Sequence, residues 1–421
     1  MVVLTKSRKE KIRKTYSKKE HHLYRVIQQS PIQGHISLPE YRRYTYKPMT
    51  SDEYAVHIDR IYSEFRDMML HTGNVMIVPK YLGIHLANRG CSSKCRFCVS
   101  GGEKFDELAL ENQEEFLYNL QHLLRLNDNK DGYIKEIHFD GDSSDPILPK
   151  TLILFQRSIE LIRRIEEKDE KNRLIQVITN GHFINKLSKG ILLQLDLISI
   201  SVNAYDKANY KLYTCTDAFE LVMSNIARLC KLRDDNHTNQ FINTGYVLSR
   251  DEAKDITNFS ESGIEDFVYR LNYTGVNNVK FRFDFHEKSR QYQEDVTSFI
   301  KSLSDSGKFK PMTINIQQPH ECPEFKYCLS PFLWPVLGPN IKLYACPHSI
   351  KNEMEAYYER DSVSLIETDK GPLCNSICQP FMLGLNKRFN KDLENNPDLL
   401  EAVKKYGYSR TIYPIKKESY V

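Results

Sequence analysis

The sequence lacks any uninterrupted apolar run long enough to cross a membrane. The best candidate, residues 191–202, contains Gln194 and Asp196, and the apolar start of the chain ends at Lys6, so we expect no membrane span and no signal peptide. The net charge of +4 is too small to indicate nucleic-acid binding by itself. We therefore expect a cytoplasmic protein without a membrane partner. An RNA partner, as in a tRNA-modifying enzyme, depends only on the basic residues 6–25, for which a solvated terminus is the favoured interpretation. The sequence also lacks internal repeats and low-complexity tracts.

Cysteine, in contrast, is abundant, with ten residues in the chain. In a reducing compartment clustered thiols indicate metal binding rather than disulfides. Cys91, Cys95 and Cys98 are spaced C-x3-C-x2-C. Three thiolates hold three corners of a [4Fe–4S] cluster and leave one iron open. A structural zinc site needs a fourth ligand, and none lies close by in sequence, but a zinc knuckle stays an alternative.

This cysteine string, with the aromatic Phe97 just before its last cysteine, resembles the signature of the radical S-adenosylmethionine (SAM) enzymes. The resemblance implies that SAM binds the open iron and that an external donor, such as flavodoxin or ferredoxin, supplies an electron. Cleavage of SAM then yields a 5′-deoxyadenosyl radical, which abstracts a hydrogen atom from the substrate. In that family the cofactors carry the difficult chemistry, and the protein binds and orients them.

Short apolar segments alternate with amphipathic helical segments, which predicts parallel strands joined by helices. The predicted strands are residues 82–88, 133–139, 174–179, 197–202, 241–248 and 279–285, and the predicted helices include 51–70, 111–126, 152–167, 219–232 and 251–271, the last interrupted near Gly263. Together with the resemblance, this predicts an α/β fold, a partial (β/α)6 TIM-like barrel, with its site at the carboxyl ends of the strands. The predicted domains are a basic and helical extension (1–80), the barrel (81–316), an auxiliary-cluster region (317–390) and a tail (391–421).

Polar residues follow each predicted strand, where the resemblance implies that SAM binds. The loop after the second strand departs from the Gly-Gly-Glu-Pro motif that is common in the family. Gly141 and Asp142 are the residues that best match the motif and are predicted to bind SAM. The alternatives are that Asp145 supplies the acidic group, or that the loop is a plain turn. The other predicted cofactor-binding residues are Phe97, Thr179, Asn180, Ser201, Asn203, Ser249 and Arg250. Tyr246, Arg282 and Asp284 lie on predicted strands and are the candidate catalytic residues. Arg282 and Asp284 share one face and face the substrate if that face is the inner one; a structural charged pair is the alternative.

A second cysteine set lies beyond the predicted barrel. Residues 337–345 predict a hairpin that turns at Gly338-Pro339-Asn340 and brings Cys328 close to Cys346, and Cys374 and Cys378 follow. The set resembles the auxiliary-cluster region of the SPASM and twitch subgroups and implies a second [4Fe–4S] cluster, with zinc as the alternative. For Cys322 we expect either a spare cysteine or an alternative ligand, and we expect Cys215 and Cys230 to be ordinary buried thiols.

These features predict a radical SAM enzyme with a peptide or small-molecule substrate. Modification of a ribosomally made peptide is the leading interpretation. Dehydrogenation or epimerisation of a small molecule such as an aminosugar is the first alternative. The second alternative is a non-catalytic iron–sulfur or zinc protein, which would neither bind SAM nor form 5′-deoxyadenosine.

Overall fold

The computed structural model describes residues 51–71, 80–87, 90–98, 113–125, 133–141, 144–251, 256–284, 287, 289–317, 327–328, 333–339, 341, 343–344, 366–367 and 380–406. The strands are β1 Tyr81–Ile84, β2 Glu136–Phe139, β3 Leu174–Thr179, β4 Leu197–Ser201, β5 Phe241–Leu248, β6 Arg250–Asp251, β7 Ile256–Thr257, β8 Asn278–Phe283, β9 Thr313–Gln317, β10 Tyr327–Cys328, β11 Val336–Leu337, β12 Leu343–Tyr344 and β13 Ile366–Glu367. The helices are α1 Ser51–His71, α2 Gln113–Arg125, α3 Leu152–Asp169, α4 Lys189–Leu192, α5 Lys207–Thr214, α6 Phe219–Asp235, α7 Glu261–Thr274, α8 Arg290–Asp305, α9 Pro380–Asn395 and α10 Pro397–Tyr406.

One large sheet organises the chain, in the strand order β12-β11-β1-β2-β3-β4-β5-β8-β9. All neighbours pair in parallel except β11 and β12, which form an antiparallel hairpin. The two edge strands do not pair with each other in the described part of the chain, so the sheet is open, as in a partial barrel. The predicted fold class and the order of the six predicted strands are confirmed. Two further parallel strands, β9 and β11, extend the sheet at its ends.

The residue alternation of the strands separates two faces of the sheet. In β8, Val279, Phe281 and Phe283 are buried, while Lys280 and Arg282 are exposed. Phe283 packs edge-on against Tyr292 of α8, so the apolar row faces the helices. We call the opposite side, away from α7 and α8, the inner face of the sheet.

The predicted helix 251–271 is wrong over its first part. Strands β6 and β7 pair there as an antiparallel ribbon. Helix α7 begins only at Glu261, because the side chain of Ser260 caps it by accepting from the amide of Gly263 at 3.4 Å. Gly263 therefore lies in the first turn, and a Cβ there would meet the Tyr205 ring at 2.6 Å.

The predicted hairpin around Gly338 is confirmed, and β11 pairs with β1, which leads to the first cysteine loop. Cys328 lies outside this hairpin, on β10, whose partner is β13. Helix α9 crosses the predicted boundary between residues 390 and 391, so the chain after 390 does not begin a separate tail there. The sequence-predicted basic extension, apart from α1, lies outside the described residues.

Helices α1 and α9 belong to the same apolar core as the sheet, since Ile61, Tyr62, Leu385 and Phe389 join its buried cluster. The Tyr62 hydroxyl donates to Asp392 at 2.9 Å. Among the described helices, none has the length and apolar composition that crossing a membrane requires.

Candidate functional site at the carboxyl edge of the sheet

The loop that follows β1, residues 91–98, holds the first three cysteines and is tied to the end of α5. The amide of Lys94 donates to the carbonyl of Thr214 at 2.9 Å, and the amide of Arg96 donates to Tyr213 at 2.8 Å. These bonds anchor the loop at the carboxyl edge of the sheet, where βα-barrels place their sites.

The three cysteines of this loop form no disulfide and are partly exposed. Burial raises the pKa of both Cys91 and Cys95. The neighbouring Cys91 and Cys98 thiols raise the pKa of Cys95 further. No set of three or more His, Cys, Asp or Glu side chains arranged to hold a metal ion occurs among the described residues. The donor chemistry, three thiols on one anchored loop, fits the three-thiolate side of a cluster, and the assignment stays a prediction.

Asn180 connects the loop after β3 to the cysteine loop. Its side-chain amide donates to the Cys91 sulfur at 3.1 Å and to the Ser92 hydroxyl at 2.9 Å. Ser92 lies 2.7 Å from His182 Nδ1, and His182 Nε2 lies 2.9 Å from the Tyr210 hydroxyl. Burial lowers the pKa of His182 to about 4, so its imidazole is neutral near pH 7.

A buried carboxylate fixes the backbone that carries Asn180. Asp145 accepts from the Thr179 hydroxyl at 2.8 and 2.9 Å, from the Asn180 amide at 2.6 Å and from the Ile147 amide at 2.9 Å. Burial raises the pKa of Asp145 to about 6 despite these donors. Thr179 and Asn180, two predicted cofactor-binding residues, are thus brought together by Asp145, and Thr179 has a positioning role in this arrangement.

The loop after β2 lies beside the cysteine loop. Gly90 and Ser144 form an isolated parallel bridge, and the Ser144 hydroxyl donates to the carbonyl of Ala87 at 2.8 Å. A Cβ on Gly141 would lie 2.5 Å from the Ser144 carbonyl oxygen, so glycine is needed there for the turn itself. Asp142 lies outside the described residues.

Ser201 and Asn203 end the fourth predicted strand. Ser201 is half-buried and pairs in register with Gly245 of β5. Asn203 has a left-handed φ of 60°, and its side-chain oxygen accepts from the amide of Val247 at 2.9 Å. That oxygen is committed to the end of β5, so the Asn203 side chain secures the strand edge.

Ser249 and Arg250 also have protein partners. The Ser249 hydroxyl donates to Asp284 at 2.7 Å. Arg250 pairs with Glu287 at 2.8 Å and lies 4.3 Å from the centre of the Tyr292 ring. Arg250 is therefore part of a local ion pair and cation–π contact at the strand ends.

The candidate catalytic residues separate onto two faces. Arg282 and Asp284 follow the inner-face alternation of β8. Tyr246 is fully buried, its ring contacts Phe267 and Phe281, and its hydroxyl donates to the Asn258 carbonyl at 2.5 Å. Tyr246 thus lies on the side of the sheet that faces the helices, and its role in catalysis stays an untested prediction.

A row of polar side chains crosses the inner face near the start of the strands. Asn243 donates to Ser199 at 2.7 Å, and Asn278 donates to Asn243 at 2.6 Å. The Thr313 hydroxyl donates to the Asn278 side-chain oxygen at 2.6 Å. This row forms a polar floor across β4, β5, β8 and β9, below Lys280 and Arg282.

The remaining cysteines are only partly described. Cys346, Cys374 and Cys378 lie outside the described residues, and for Cys328 only the backbone is described, so the second cluster stays a prediction. Cys230 is buried, as expected, but Cys215 is exposed at the end of α5, with φ 56°. Phe97 is half-buried between Arg96 and Cys98.

Several residues of the site were not predicted from the sequence, namely Ser92, His182, Tyr210, Lys280 and the pair His85 and Asp140, whose side chains meet at 2.6 Å. His182 follows Thr179-Asn180-Gly181 directly, and that adjacency was the only available signal for it. The other contacts join segments that are far apart in the chain.

No protein-family model matches this chain, and no curated protein is similar to it in sequence. Among solved structures it resembles SuiB from Streptococcus suis bound to S-adenosylmethionine, at 11% identity and a TM-score of 0.48, over 81% of this chain and 75% of that one. It also resembles anSMEcpe with bound AdoMet and the Kp18Cys peptide, at 18% identity and a TM-score of 0.44, over 66% of this chain and 80% of that one. A radical SAM methyltransferase from Sphaerobacter thermophilus matches at 15% identity and a TM-score of 0.36, over 54% of this chain and 63% of that one.

Proposed function

We propose that this chain is a radical SAM enzyme whose cluster binds Cys91, Cys95 and Cys98. The observation that carries the proposal is the position of these thiols, on a loop anchored at the carboxyl edge of an open parallel sheet with a polar inner face. A [4Fe–4S] cluster with SAM would supply hydrogen-atom abstraction from a substrate. The protein's own part is to hold the thiols, orient the cofactor and admit the substrate.

The contacts of the residues around the loop support a role of the protein in holding and orienting the thiols. Asp145 fixes the peptide that carries Asn180, and Asn180 in turn donates to the sulfur of Cys91. A hydrogen bond to a ligating sulfur orients it and tunes its metal. Because burial raises the pKa of Cys91 and Cys95, metal loading has to release protons from these thiols.

The test is anaerobic reconstitution with iron and sulfide, followed by dithionite and SAM. We expect 5′-deoxyadenosine from the wild-type protein and none from Cys98→Ala. Cys230→Ala is the matched control, since Cys230 lies in α6 and outside the loop, and it should retain both the cluster and the product. An intact wild-type cluster that forms no 5′-deoxyadenosine would exclude the enzyme and leave a structural iron–sulfur protein.

For the substrate we propose a peptide, with a small molecule such as an aminosugar as the second candidate. The support is the likeness of the second cysteine set, Cys328, Cys346, Cys374 and Cys378, to the auxiliary-cluster subgroup. Iron counting with electron paramagnetic resonance tests for that second cluster. A mass change in a short peptide encoded beside this gene, dependent on SAM and on Cys98, tests the substrate class; no change in any such peptide would favour the small molecule.

A further inference from the structure

Two cations lie next to each other on the inner face of β8. Lys280 and Arg282 are exposed, while the alternate residues Val279, Phe281 and Phe283 are buried on the helix side. Residues two apart in a strand are separated by about 6.6 Å along it and lie on the same face. The two side chains therefore lie on the same face as the polar floor, further along β8 than Asn278.

The residues beside them in the sheet are uncharged. Lys280 pairs in register with Gly245 of β5 and Asn315 of β9, and Arg282 pairs with Val247 and Gln317. No carboxylate in the described part of the chain forms an ion pair with Lys280. The nearest acid in the same row is Asp284, to which the Ser249 hydroxyl donates at 2.7 Å.

Gly245 leaves room beside Lys280. A Cβ built on Gly245 would meet a single neighbour, the Ser201 hydroxyl oxygen, at 3.9 Å. This glycine has no positive φ and no close backbone contact that would require it. Its effect at this position is to keep a space open between Ser201 and the lysine.

Lys280 is accessible to water and yet surrounded by protein. Burial, followed by the charge of Arg282, lowers its pKa to about 8. Two like charges in such a place repel each other, and an anion between them relieves that repulsion.

We propose that Lys280 and Arg282 form a carboxylate-binding site on the inner face, and that the substrate of this chain presents an acidic group to it. The inference rests on the proposed function for the identity of the ligand as the substrate. The binding site itself is tested without turnover.

The test measures how fast acetic anhydride acetylates Lys280 in the reconstituted protein, by mass spectrometry of proteolytic fragments. The probes are acetyl-Gly-Glu-Gly-amide and its Gln isostere, which differ in one carboxylate. A peptide present at four times its dissociation constant leaves about one fifth of the sites free, so the Glu peptide should slow acetylation of Lys280 about fivefold. The Gln peptide should leave it unchanged, and Lys231, exposed on α6, should react equally with and without either peptide.

Two variants locate the effect. Gly245→Val fills the space beside Lys280 and should abolish protection by the Glu peptide while Lys280 still reacts. Arg282→Gln should reduce the protection toward that given by the Gln peptide. Protection that survives both substitutions would overturn the proposal.

The other outcomes are equally decisive. Equal protection by both peptides, or a Lys280 that never reacts, would overturn the site. Stronger protection by inorganic phosphate than by the Glu peptide would overturn its carboxylate chemistry. If SAM alone protects Lys280 as well as the Glu peptide does, the carboxylate is the cofactor's, and the substrate assignment fails. If the protein forms no 5′-deoxyadenosine but the Glu peptide still protects Lys280 specifically, the proposed function is wrong and the carboxylate-binding site is retained.

Discussion

At the scale of single residues, the site contains polar groups whose pKa values are shifted by burial. His182 is the clearest case, because its ring is enclosed between the Ser92 and Tyr210 hydroxyls. Its folded pKa of about 4 lies below the ordinary value of 6.5. A depressed histidine pKa means that the unfolded chain binds the proton more readily than the folded one.

We predict that His182 makes the protein lose stability as the pH falls from 6.5 to 4. The loss attributable to this residue is about 3 kcal/mol at full protonation. His182→Gln should remove that part of the pH dependence, measured as the free energy of unfolding in urea between pH 7 and pH 4. His122→Gln, at an exposed position of α2, is the control and should follow the wild type. Parallel curves for wild type and His182→Gln would contradict the prediction.

Asn180 is the second residue whose effect is specific. Its amide donates to the Cys91 sulfur at 3.1 Å, and such a bond stabilises the reduced, more negative state of a bound cluster. We expect Asn180→Ala to lower the reduction potential of the cluster by about 40 mV, the equivalent of one hydrogen bond of about 1 kcal/mol. A redox titration followed by electron paramagnetic resonance measures it. Asn395→Ala, on the exposed side of α9, should leave the potential unchanged, and an unchanged potential in Asn180→Ala would refute the bond's role.

At the scale of elements, the six predicted strands were predictable because each is mostly apolar or alternates apolar with polar residues, and each buries most of its residues. Strands β6, β7, β10 and β13 have two residues each, too few to show any periodicity, whereas the equally short β11 and β12 were predicted from the turn residues between them. The site divides in the same way. Thr179 and Asn180 were predictable from their place at the end of a strand, but the contact of Asn180 with Cys91 joins residues 89 apart and depends on the tertiary fold.

The pairing of β11 with β1 is the element contact that sequence did not indicate, and it depends on Gly83. A Cβ on Gly83 would lie 2.6 Å from Val336 Cγ2. We predict that Gly83→Ala destabilises the protein by about 1–3 kcal/mol through overpacking. Val336→Ala removes the Cγ2 methyl group with which the new Cβ at residue 83 would clash. The double variant should therefore be more stable than the sum of the two single effects implies. Additive effects in urea unfolding would mean that the hairpin does not rest on β1.

At the scale of the whole molecule, one buried apolar cluster runs from α1 through the sheet to α9. A continuous core predicts one cooperative unfolding transition rather than separate melting of the terminal helices and the barrel. The single tryptophan of the chain, Trp334, allows the unfolding of the sheet to be measured. The centre of its ring lies 4.7 Å from that of His138 in β2 and 5.3 Å from that of Tyr81 in β1. Its fluorescence reports on the sheet.

Leu385 in α9 is fully buried, so Leu385→Ala should cost about 2–5 kcal/mol. In a single cooperative unit that loss lowers the urea midpoint seen by Trp334 fluorescence as much as the midpoint seen by circular dichroism. Leu221→Ala, at a position of α6 with 42% exposure, is the control and should move neither midpoint by more than an equivalent of about 0.5 kcal/mol. If Leu385→Ala shifts the circular dichroism curve and leaves the Trp334 curve in place, α9 unfolds independently of the sheet. The terminal helices would then fold independently of the barrel and would not contribute to the stability of the cysteine loop.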